Sequence, residues 1–364
     1  MQRTDDLRIA NIDPLMAPRL LMKMLPVDDY ASELVARARR DSEACLFQRD
    51  PRLLVVVGPC SIHDPEAALD YARRLKEQSL RYAGDLLLVM RVYFEKPRTT
   101  VGWKGLINDP KMDDTFDINH GLHLARKLLL DLADMGMPAG TEFLDTITPQ
   151  YIADLVAWGA IGARTTESQV HRQLASGLSM PVGFKNGTTG SVQIAVDAIK
   201  AAAYPHHFLS VTKDGVSAIV STNGNPACHV ILRGSSEGPN HDPEHVAAAA
   251  ANLEAAGLPG VVMVDCSHGN SRKDFRRQPV VSSVVAEQIA AGERGIIGMM
   301  LESFLVDGRQ ELTDPSHLTY GQSVTDACMG WEMTVPVLQE LAEAVRARRA
   351  LARQGERKLV SSPA

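Results

Sequence analysis

The sequence predicts a (β/α)8 TIM barrel with an N-terminal extension and an inserted β-hairpin before strand 6. Eight short apolar runs recur along the 364 residues, and helical segments lie between most of them. Several runs are continuous rather than alternating, as strands buried on both faces should be. Eight strands, each followed by a helix, are typical of this barrel. A doubly wound open sheet is the competing topology, but it has no particular reason to stop at eight strands.

The strands and helices follow from these runs in chain order. The predicted strands are 53–58, 86–91, 140–144, 160–164, 181–185, 229–233, 261–265 and 295–302. The predicted helices are 65–82, 121–135, 149–158, 168–177, 190–203, 243–256, 282–291 and 335–349. The first of these helices begins at Asp64-Pro65, where the acid can cap the helix and the proline suits its first position.

Three segments fall outside the repeating pattern. Residues 1–50 form an extension whose helix, 31–47, has no strand partner, and we expect it to make regulatory or oligomer contacts. Residues 51–352 form the catalytic barrel, with a hairpin insertion at about 206–222. There the turn Lys213-Asp214-Gly215 separates two β-prone runs, which is typical of a hairpin. Residues 353–364 are predicted to be a polar tail.

The composition excludes several classes of protein. The net charge of −6 gives no overall basic balance for nucleic acid. No apolar run approaches the roughly 20 residues of a membrane span, and no apolar segment of a signal peptide follows Asp5 and Asp6. The five cysteines are odd in number and scattered, which disfavours a disulfide scaffold. We expect a cytoplasmic protein that binds neither nucleic acid nor membrane.

Residues capable of chemistry stand at the end of every predicted strand. In a (β/α)8 barrel the active site lies at these carboxyl ends. In order, they are Cys60, Arg91, Glu142, Arg164, Lys185, Arg233, His268 and Glu302. One such residue is ordinarily a solvated loop charge. Many charges converging on one barrel mouth would repel each other unless ligands filled it.

The basic residues of this set predict anionic substrates. Arg91, Arg164, Lys185 and Arg233 are joined by Lys96, Arg98 and Lys104 from the loop after strand 2. Arginine binds phosphate and carboxylate through paired hydrogen bonds, and lysine acts as a movable charge or proton donor. So many cations indicate two substrates that together carry two phosphates and a carboxylate.

The remaining strand ends predict a metal site. Cys60, His268 and Glu302 offer a thiolate, an imidazole and a carboxylate, and Asp326 could join them from the loop after strand 8. Such a mixed donor set suits a divalent transition ion better than magnesium. A lone strand-end cysteine is more often a buried thiol. Strands 1, 7 and 8 adjoin when the barrel closes, however, and this favours the metal site.

Five longer motifs indicate a family. They are GPCSIHD at 58–64, MRVYFEKPRTTVGWKG at 90–105, GARTTES at 162–168, PVGFKNG at 181–187 and DCSHGN at 265–270. Together they closely resemble class I 3-deoxy-D-arabino-heptulosonate 7-phosphate (DAHP) synthases of the feedback-regulated microbial type. The resemblance extends from about Asp5 to Arg349.

The resemblance implies condensation of phosphoenolpyruvate with erythrose 4-phosphate, giving DAHP and phosphate at the start of the shikimate pathway to aromatic amino acids. It also implies a divalent metal ion (Mn, Fe, Co or Zn). The implied metal ligands are Cys60, His268, Glu302 and Asp326. Arg91, Lys96 and Lys185 would bind the carboxylate side of phosphoenolpyruvate, and Arg164 and Arg233 its phosphate. Arg98 and Thr99 would bind the phosphate of the sugar, and Asp326 is also expected to contact substrate. Lys96 would donate a proton, and Glu142 is a candidate to orient water.

Regulation is a further implication of the resemblance. The positions that match an effector pocket in relatives are Asp6, Gln150, Leu178, Ser179, Phe208, Ser210 and Val220. Serine at position 210 favours phenylalanine as the effector, with tyrosine next, although Phe208 and Val220 could also be no more than hairpin core. We expect a homo-oligomer, either a dimer or a tetramer.

Three other functions stay open at this point. One is the related synthase that uses arabinose 5-phosphate, although the segment Lys96-Pro97-Arg98-Thr99 and the N-terminal extension favour the erythrose enzyme. A second is a metal-dependent aldolase that releases no phosphate. The third is a phosphosugar sensor without catalysis, which has no need for four metal ligands.

Overall fold

A computed structural model describes residues 2–98, 102–312 and 314–360. Eight parallel strands close into a barrel in the order β1-β10-β9-β8-β5-β4-β3-β2, and β6 and β7 form a separate two-stranded sheet. The strands are β1 Leu53–Gly58, β2 Leu86–Arg91, β3 Ala139–Glu142, β4 Trp158–Ile161, β5 Val182–Lys185, β6 His207–Val211, β7 Ser217–Ser221, β8 Cys228–Leu232, β9 Val262–Asp265 and β10 Ile296–Glu302. The predicted barrel is confirmed.

Helices surround this barrel. They are α1 Pro18–Met24, α2 Asp29–Leu46, α3 Pro65–Arg81, α4 Ile118–Asp134, α5 Pro149–Ile152, α6 Gln169–Ala175, α7 Gln193–Ala202, α8 Pro243–Ala255, α9 Gln278–Ala290 and α10 Trp331–Val360. Helix α1 is not predicted from the sequence. Because α10 continues to Val360, residues 353–360 of the predicted tail are helical.

Aspartate caps fix the start of several helices. Asp64 accepts hydrogen bonds from the backbone N–H groups of Glu66 and Ala67, and Pro65 occupies the first turn of α3. Asp242 caps α8 in the same way, with Pro243 following it. Each cap satisfies N–H groups that have no partner inside the helix. The Asp-Pro pairs in the sequence therefore mark these helix starts correctly.

The predicted helix 149–158 is wrong at its C-terminal end. Helix α5 ends at Ile152, a short 3-10 helix covers Ala153–Leu155, and Trp158 begins β4. Trp158 is fully buried in a cluster inside the barrel that includes Val56 and Met300. Burial of this large ring in the barrel stabilises the strand there.

Strand pairing brings the first and last barrel strands together. β1 pairs with β10 so that Gly58 lies opposite Glu302 and Leu54 lies opposite Gly298. A Cβ atom on Gly298 would lie 2.7 Å from the Leu54 carbonyl oxygen, so glycine permits this close approach. The register places the ends of β1 and β10 side by side, which matters for the residues they carry.

The inserted hairpin is confirmed. β6 and β7 pair antiparallel, with Phe208 opposite Val220, and Gly215 in their turn adopts a φ of 76°, which glycine tolerates best. Ser210 is buried, whereas Leu209 and Ile219 are 79% and 73% exposed. One hairpin face therefore packs on the barrel and the other presents apolar side chains outward.

The described residues contain no helix that is both long and apolar enough to cross a membrane.

Candidate active site

A cavity of about 280 Å³ opens at the carboxyl ends of the barrel strands. Its lining includes nine of the predicted site residues: Arg91, Lys96, Arg98, Glu142, Arg164, Lys185, Arg233, His268 and Asp326. Thr99 lies outside the described residues. The sequence interpretation missed Lys273, which also lines the cavity. Lys273 follows His268 by five residues, but spacing alone does not show that the loop turns back towards the site.

Three predicted metal ligands form one cluster. Single donor atoms of Cys60, Glu302 and Asp326 all lie within 4.8 Å of one another, and Cys60 Sγ is 3.7 Å from Asp326 Oδ2. The pairing of β1 with β10 places Gly58 opposite Glu302, and Cys60 follows Gly58 by two residues. His268 stands next to this cluster, with its Nε2 atom 3.9 Å from Glu302 Oε1. The four side chains offer sulfur, nitrogen and oxygen donors at close range, and this set fits a divalent transition ion.

The backbone and side chain of His268 are both constrained. Its φ of 55° is uncommon for a non-glycine residue and costs conformational energy. Its Nδ1 atom lies 2.9 Å from Asp265 Oδ2, which leaves Nε2 directed towards Glu302. A carboxylate behind the far nitrogen is the usual way to orient a histidine ligand. Asp265 is therefore a second residue that the sequence interpretation missed, although it begins the motif DCSHGN.

Asp265 also holds Lys185. Lys185 Nζ donates to Asp265 Oδ2 at 2.8 Å. Burial alone would raise the pKa of the Asp265 carboxyl, but His268 and Lys185 hold that pKa well below its usual range. Asp265 is thus a buried anion that links a metal-ligand candidate to a substrate-binding candidate.

Arg91 is fully buried and multiply bonded. Its guanidinium donates to Glu302 Oε1 at 2.8 Å and to the Cys60 carbonyl oxygen at 3.2 Å, and it lies 3.5 Å from the centre of the Tyr93 ring. Burial opposes the charge on Arg91, but Tyr93 and Glu302 raise its pKa above the ordinary value. In this arrangement Arg91 fixes the Glu302 carboxylate as well as lining the cavity.

Lys96 reaches the cysteine of the cluster. Its Nζ atom lies 3.1 Å from Cys60 Sγ and donates to the Cys60 carbonyl oxygen at 3.2 Å. Burial alone would lower the pKa of Lys96, but the acidic groups around it, Cys60 and the carboxylates of Glu302 and Glu142, raise that pKa. The ammonium group therefore keeps its proton at neutral pH and can donate it inside the cavity.

The opposite wall is cationic and holds one carboxylate. Burial lowers the pKa of Arg233, and the nearby charge of Arg164 lowers it further, so an anion between the two guanidinium groups would relieve their repulsion. Glu142 is buried beside Gly162, where a Cβ atom would lie 2.0 Å from Glu142 Oε1. Glycine at position 162 therefore leaves space for the Glu142 carboxylate.

A second cavity, of about 330 Å³, lies under the hairpin. It brings together six of the predicted effector residues: Gln150, Leu178, Ser179, Phe208, Ser210 and Val220. Ser210 Oγ donates to the Thr146 carbonyl oxygen. Asp6 does not line this cavity in its own chain; its carboxylate lies 3.9 Å from Arg3. Lys213 and Arg39 also line it and were missed from the sequence.

Comparison with known proteins gives concordant matches. The family model described as "DAHP synthetase I family" matches residues 38–339. The chain is 59% identical over 347 residues to the Phe-sensitive phospho-2-dehydro-3-deoxyheptonate aldolase of Escherichia coli strain K12, covering 95% of this chain and 99% of that protein. The Tyr-sensitive enzyme of the same strain is 54% identical over 338 residues, covering 93% and 95%. The structure of the corresponding Francisella tularensis SCHU S4 enzyme is 54% identical, with a TM-score of 0.92 and coverage of 93% and 99%.

Proposed function

Because the chain belongs to the DAHP synthetase I family, and so is a 3-deoxy-7-phosphoheptulonate synthase, we propose that its barrel-mouth cavity joins phosphoenolpyruvate to erythrose 4-phosphate. The reaction forms a carbon–carbon bond between C3 of phosphoenolpyruvate and the aldehyde carbon, adds water at C2 and releases phosphate. One observation carries the proposal: the cavity places a thiol–carboxylate cluster against a wall of cations. That combination suits two phosphorylated substrates and a divalent ion.

The cationic wall holds and orients both substrates. Arg164 and Arg233 bind the phosphate of phosphoenolpyruvate, while Arg91, Lys96 and Lys185 face its carboxylate. Arg98 and Thr99 bind the phosphate of the sugar. Holding the two reacting carbons together removes a large entropic part of the barrier to a two-substrate reaction.

Cys60, His268, Glu302 and Asp326 would hold a divalent metal ion, which when bound supplies Lewis-acid polarisation of an aldehyde carbonyl. Burial and Glu302 raise the pKa of the Cys60 thiol, so the thiol is protonated until a cation binds. A coordinating thiol loses that proton. The neighbouring Asp265 and Arg91 keep His268 and Glu302 in place.

Lys96 supplies a proton to the reaction, and Glu142 orients a water molecule. Lys96 is held protonated inside the cavity and donates a proton to the aldehyde oxygen as the carbon–carbon bond forms. Glu142, buried at the same mouth, orients the water that adds to C2. Loss of phosphate from the resulting hemiketal phosphate then completes the reaction.

The hairpin cavity binds an aromatic amino acid that inhibits the enzyme. Relatives of this chain are named as Phe-sensitive and Tyr-sensitive enzymes. Phenylalanine is favoured over tyrosine because Ser210, which lines the cavity, occupies room that a phenolic hydroxyl would need.

Residues 1–50 contribute to regulation and assembly. The apolar outer face of the hairpin, with Leu209 and Ile219 exposed, supports a homo-oligomer in which the N-terminal arm and its Asp6 reach a second copy.

The test is consumption of phosphoenolpyruvate by the purified protein, followed with erythrose 4-phosphate, with arabinose 5-phosphate or with no sugar. We expect loss of phosphoenolpyruvate only with erythrose 4-phosphate, and release of equal amounts of phosphate. Preference for arabinose 5-phosphate would assign the related synthase instead. Sugar condensation without phosphate release would assign an aldolase.

A further inference from the structure

A third cavity, of about 250 Å³, lies at the end of the barrel opposite the candidate active site. It is bordered by Pro51 before β1, by Ile296 and Ile297 at the start of β10, and by α10. Arginines from three separate parts of the chain converge on it: Arg49, Arg52, Arg294, Arg348 and Arg349. Such a concentration of cations is unexpected in a chain whose net charge is −6.

Two of these arginines are neutralised by carboxylates. Arg52 lies 2.9 Å from Asp41 and 2.6 Å from Asp50. Arg349 lies 2.9 Å from Asp85, although its buried Nε atom has no hydrogen-bond partner among the described residues. These pairs are structural, and among the described side chains they involve none of the other three arginines.

Among the residues whose side chains are described, Arg348 has only neutral hydrogen-bond partners. Its guanidinium donates to the carbonyl oxygens of Pro51 at 3.1 Å, Glu293 at 3.2 Å and Ile296 at 3.4 Å. Carbonyl groups satisfy the N–H donors but do not neutralise the charge. Burial lowers the pKa of Arg348, and the charges of Arg349 and Arg294 lower it further. Repulsion between neighbouring cations is therefore built into this cavity.

Arg49 and Arg294 add to this excess of positive charge. Within residues 2–98, 102–312 and 314–354, no carboxylate lies within 4.0 Å of a guanidinium nitrogen of Arg49, Arg294 or Arg348. The nearby Glu293 carboxylate instead accepts a hydrogen bond from the Gly295 N–H group. Cys45, Ile296 and Ile297 form an apolar part of the wall, and burial keeps the Cys45 thiol neutral by raising its pKa to about 12.

We propose that this cavity is a binding site for a phosphate group, carried by inorganic phosphate or by a small phosphomonoester. Guanidinium groups that approach from several directions match the oxygens of phosphate, and arginine binds phosphate through paired, charge-assisted hydrogen bonds. The site is distinct from the catalytic cavity because it lies at the amino ends of the strands. A bound phosphate would contact both α10 and the segments that precede β1 and β10.

Phenylglyoxal footprinting tests the proposal residue by residue, so that phosphate bound in the catalytic cavity cannot be mistaken for this site. The full-length protein is treated with the arginine reagent with and without inorganic phosphate, and modified peptides are quantified by mass spectrometry. At a phosphate concentration ten times the dissociation constant, we expect modification of Arg49, Arg294 and Arg348 to slow about tenfold. Exposed Arg309, paired with Glu311 at the other end of the barrel, should react at an unchanged rate.

A variant and a salt control complete the test. Arg294→Gln removes an exposed cation that has no carboxylate partner among the described residues, so the fold should tolerate the change. It should abolish the protection of Arg49 and Arg348. Arg309→Gln is the matched control and should retain that protection. Equal modification rates with and without phosphate would overturn the proposal. Equal protection by sodium chloride at the same ionic strength would also overturn it, because the effect would then be general screening.

Discussion

Cys60 and Glu302 show how single residues prepare the site. Both are fully buried, and burial opposes ionisation of a thiol or a carboxyl group. Glu302 is nevertheless held as an anion, because His268 and Arg91 lower its pKa against the effect of burial. At the scale of residues, such compensated charges allow buried groups to stay ionised at the site.

The first prediction concerns the metal ligands. Cys60→Ala and His268→Ala should each lose activity together with bound metal, since each removes a donor atom and no fold element. Metal content and activity are measured on the same preparation after dialysis. Cys228→Ala, which also truncates a buried cysteine but lies on β8 away from the cluster, is the control. If either ligand variant binds a stoichiometric divalent ion with wild-type affinity, the ligand assignment is wrong.

The second prediction separates the two phosphates. Arg164→Ala and Arg233→Ala should mainly weaken phosphoenolpyruvate, whereas Arg98→Ala should mainly weaken erythrose 4-phosphate. Each loss should cost about 1.5–3 kcal/mol, the range for hydrogen bonds to charged groups. Steady-state kinetics with each substrate varied in turn measures the effect. Equal effects of all three variants on both substrates would refute the partition.

The third prediction concerns Glu95. Burial and the nearby carboxylates of Asp145 and Glu142 raise the pKa of its carboxyl group to about 8. Because this pKa lies above the ordinary 4.5, the folded state binds more protons than the unfolded state between those values. The Glu95 contribution therefore makes the protein less stable as pH rises from about 4.5 to 8. The free energy of unfolding is measured with urea at pH 5 and at pH 8. The decrease between these two values should be smaller in Glu95→Gln, whereas Glu77→Gln, which changes an exposed side chain, should leave it unchanged. An unchanged pH dependence would contradict the assignment.

At the scale of elements, we propose that the hairpin of β6 and β7 forms the site of regulation. Their buried face closes the cavity that Ser210 and Phe208 line, next to α5. The fourth prediction is that phenylalanine inhibits the wild-type enzyme more strongly than tyrosine does. In Ser210→Gly, inhibition by tyrosine should become stronger relative to phenylalanine, because the change makes room for the phenolic hydroxyl. Titration with phenylalanine, tyrosine and tryptophan measures both effects, and Ser217→Gly on the exposed part of β7 is the control. Indifference of the wild-type protein to all three amino acids would refute regulation.

The elements also show where sequence reasoning succeeds and fails. The bounds of β1 and β2 are predicted without error because each is a continuous apolar run with a clear end, at Gly58-Pro59 for β1 and at Arg91 for β2. The predicted helix 149–158 fails because a short apolar run such as 155–158 does not distinguish a buried strand from a helix by periodicity.

The same limit applies to the candidate site. Strand ends identify Cys60, Arg91 and Glu302 because closure of the barrel brings them together. Lys273 and Asp265 are missed because their roles depend on a loop whose residues adopt positive φ values, His268 and Lys273 among them. Patterns of polarity along the chain do not encode that turn.

At the scale of the whole molecule, closure of one barrel gathers distant segments into a single reaction chamber. Parts of the chain as far apart as Cys60 and Asp326 meet at the carboxyl end, and a wall of cations faces them across the cavity. Within an acidic protein, a positive cleft attracts small anions. The central claim is that this chamber couples formation of a carbon–carbon bond to release of phosphate.

The most direct test follows phosphoenolpyruvate labelled with carbon-13 at C3 by NMR during turnover with erythrose 4-phosphate. The account predicts that the labelled carbon becomes bonded to the former aldehyde carbon in a seven-carbon product, with one phosphate released for each bond formed. Treatment with a chelator should stop both changes, and a divalent transition ion should restore both together. Phosphate release without a new carbon–carbon bond, or bond formation that leaves the phosphate of phosphoenolpyruvate in the product, would contradict the account.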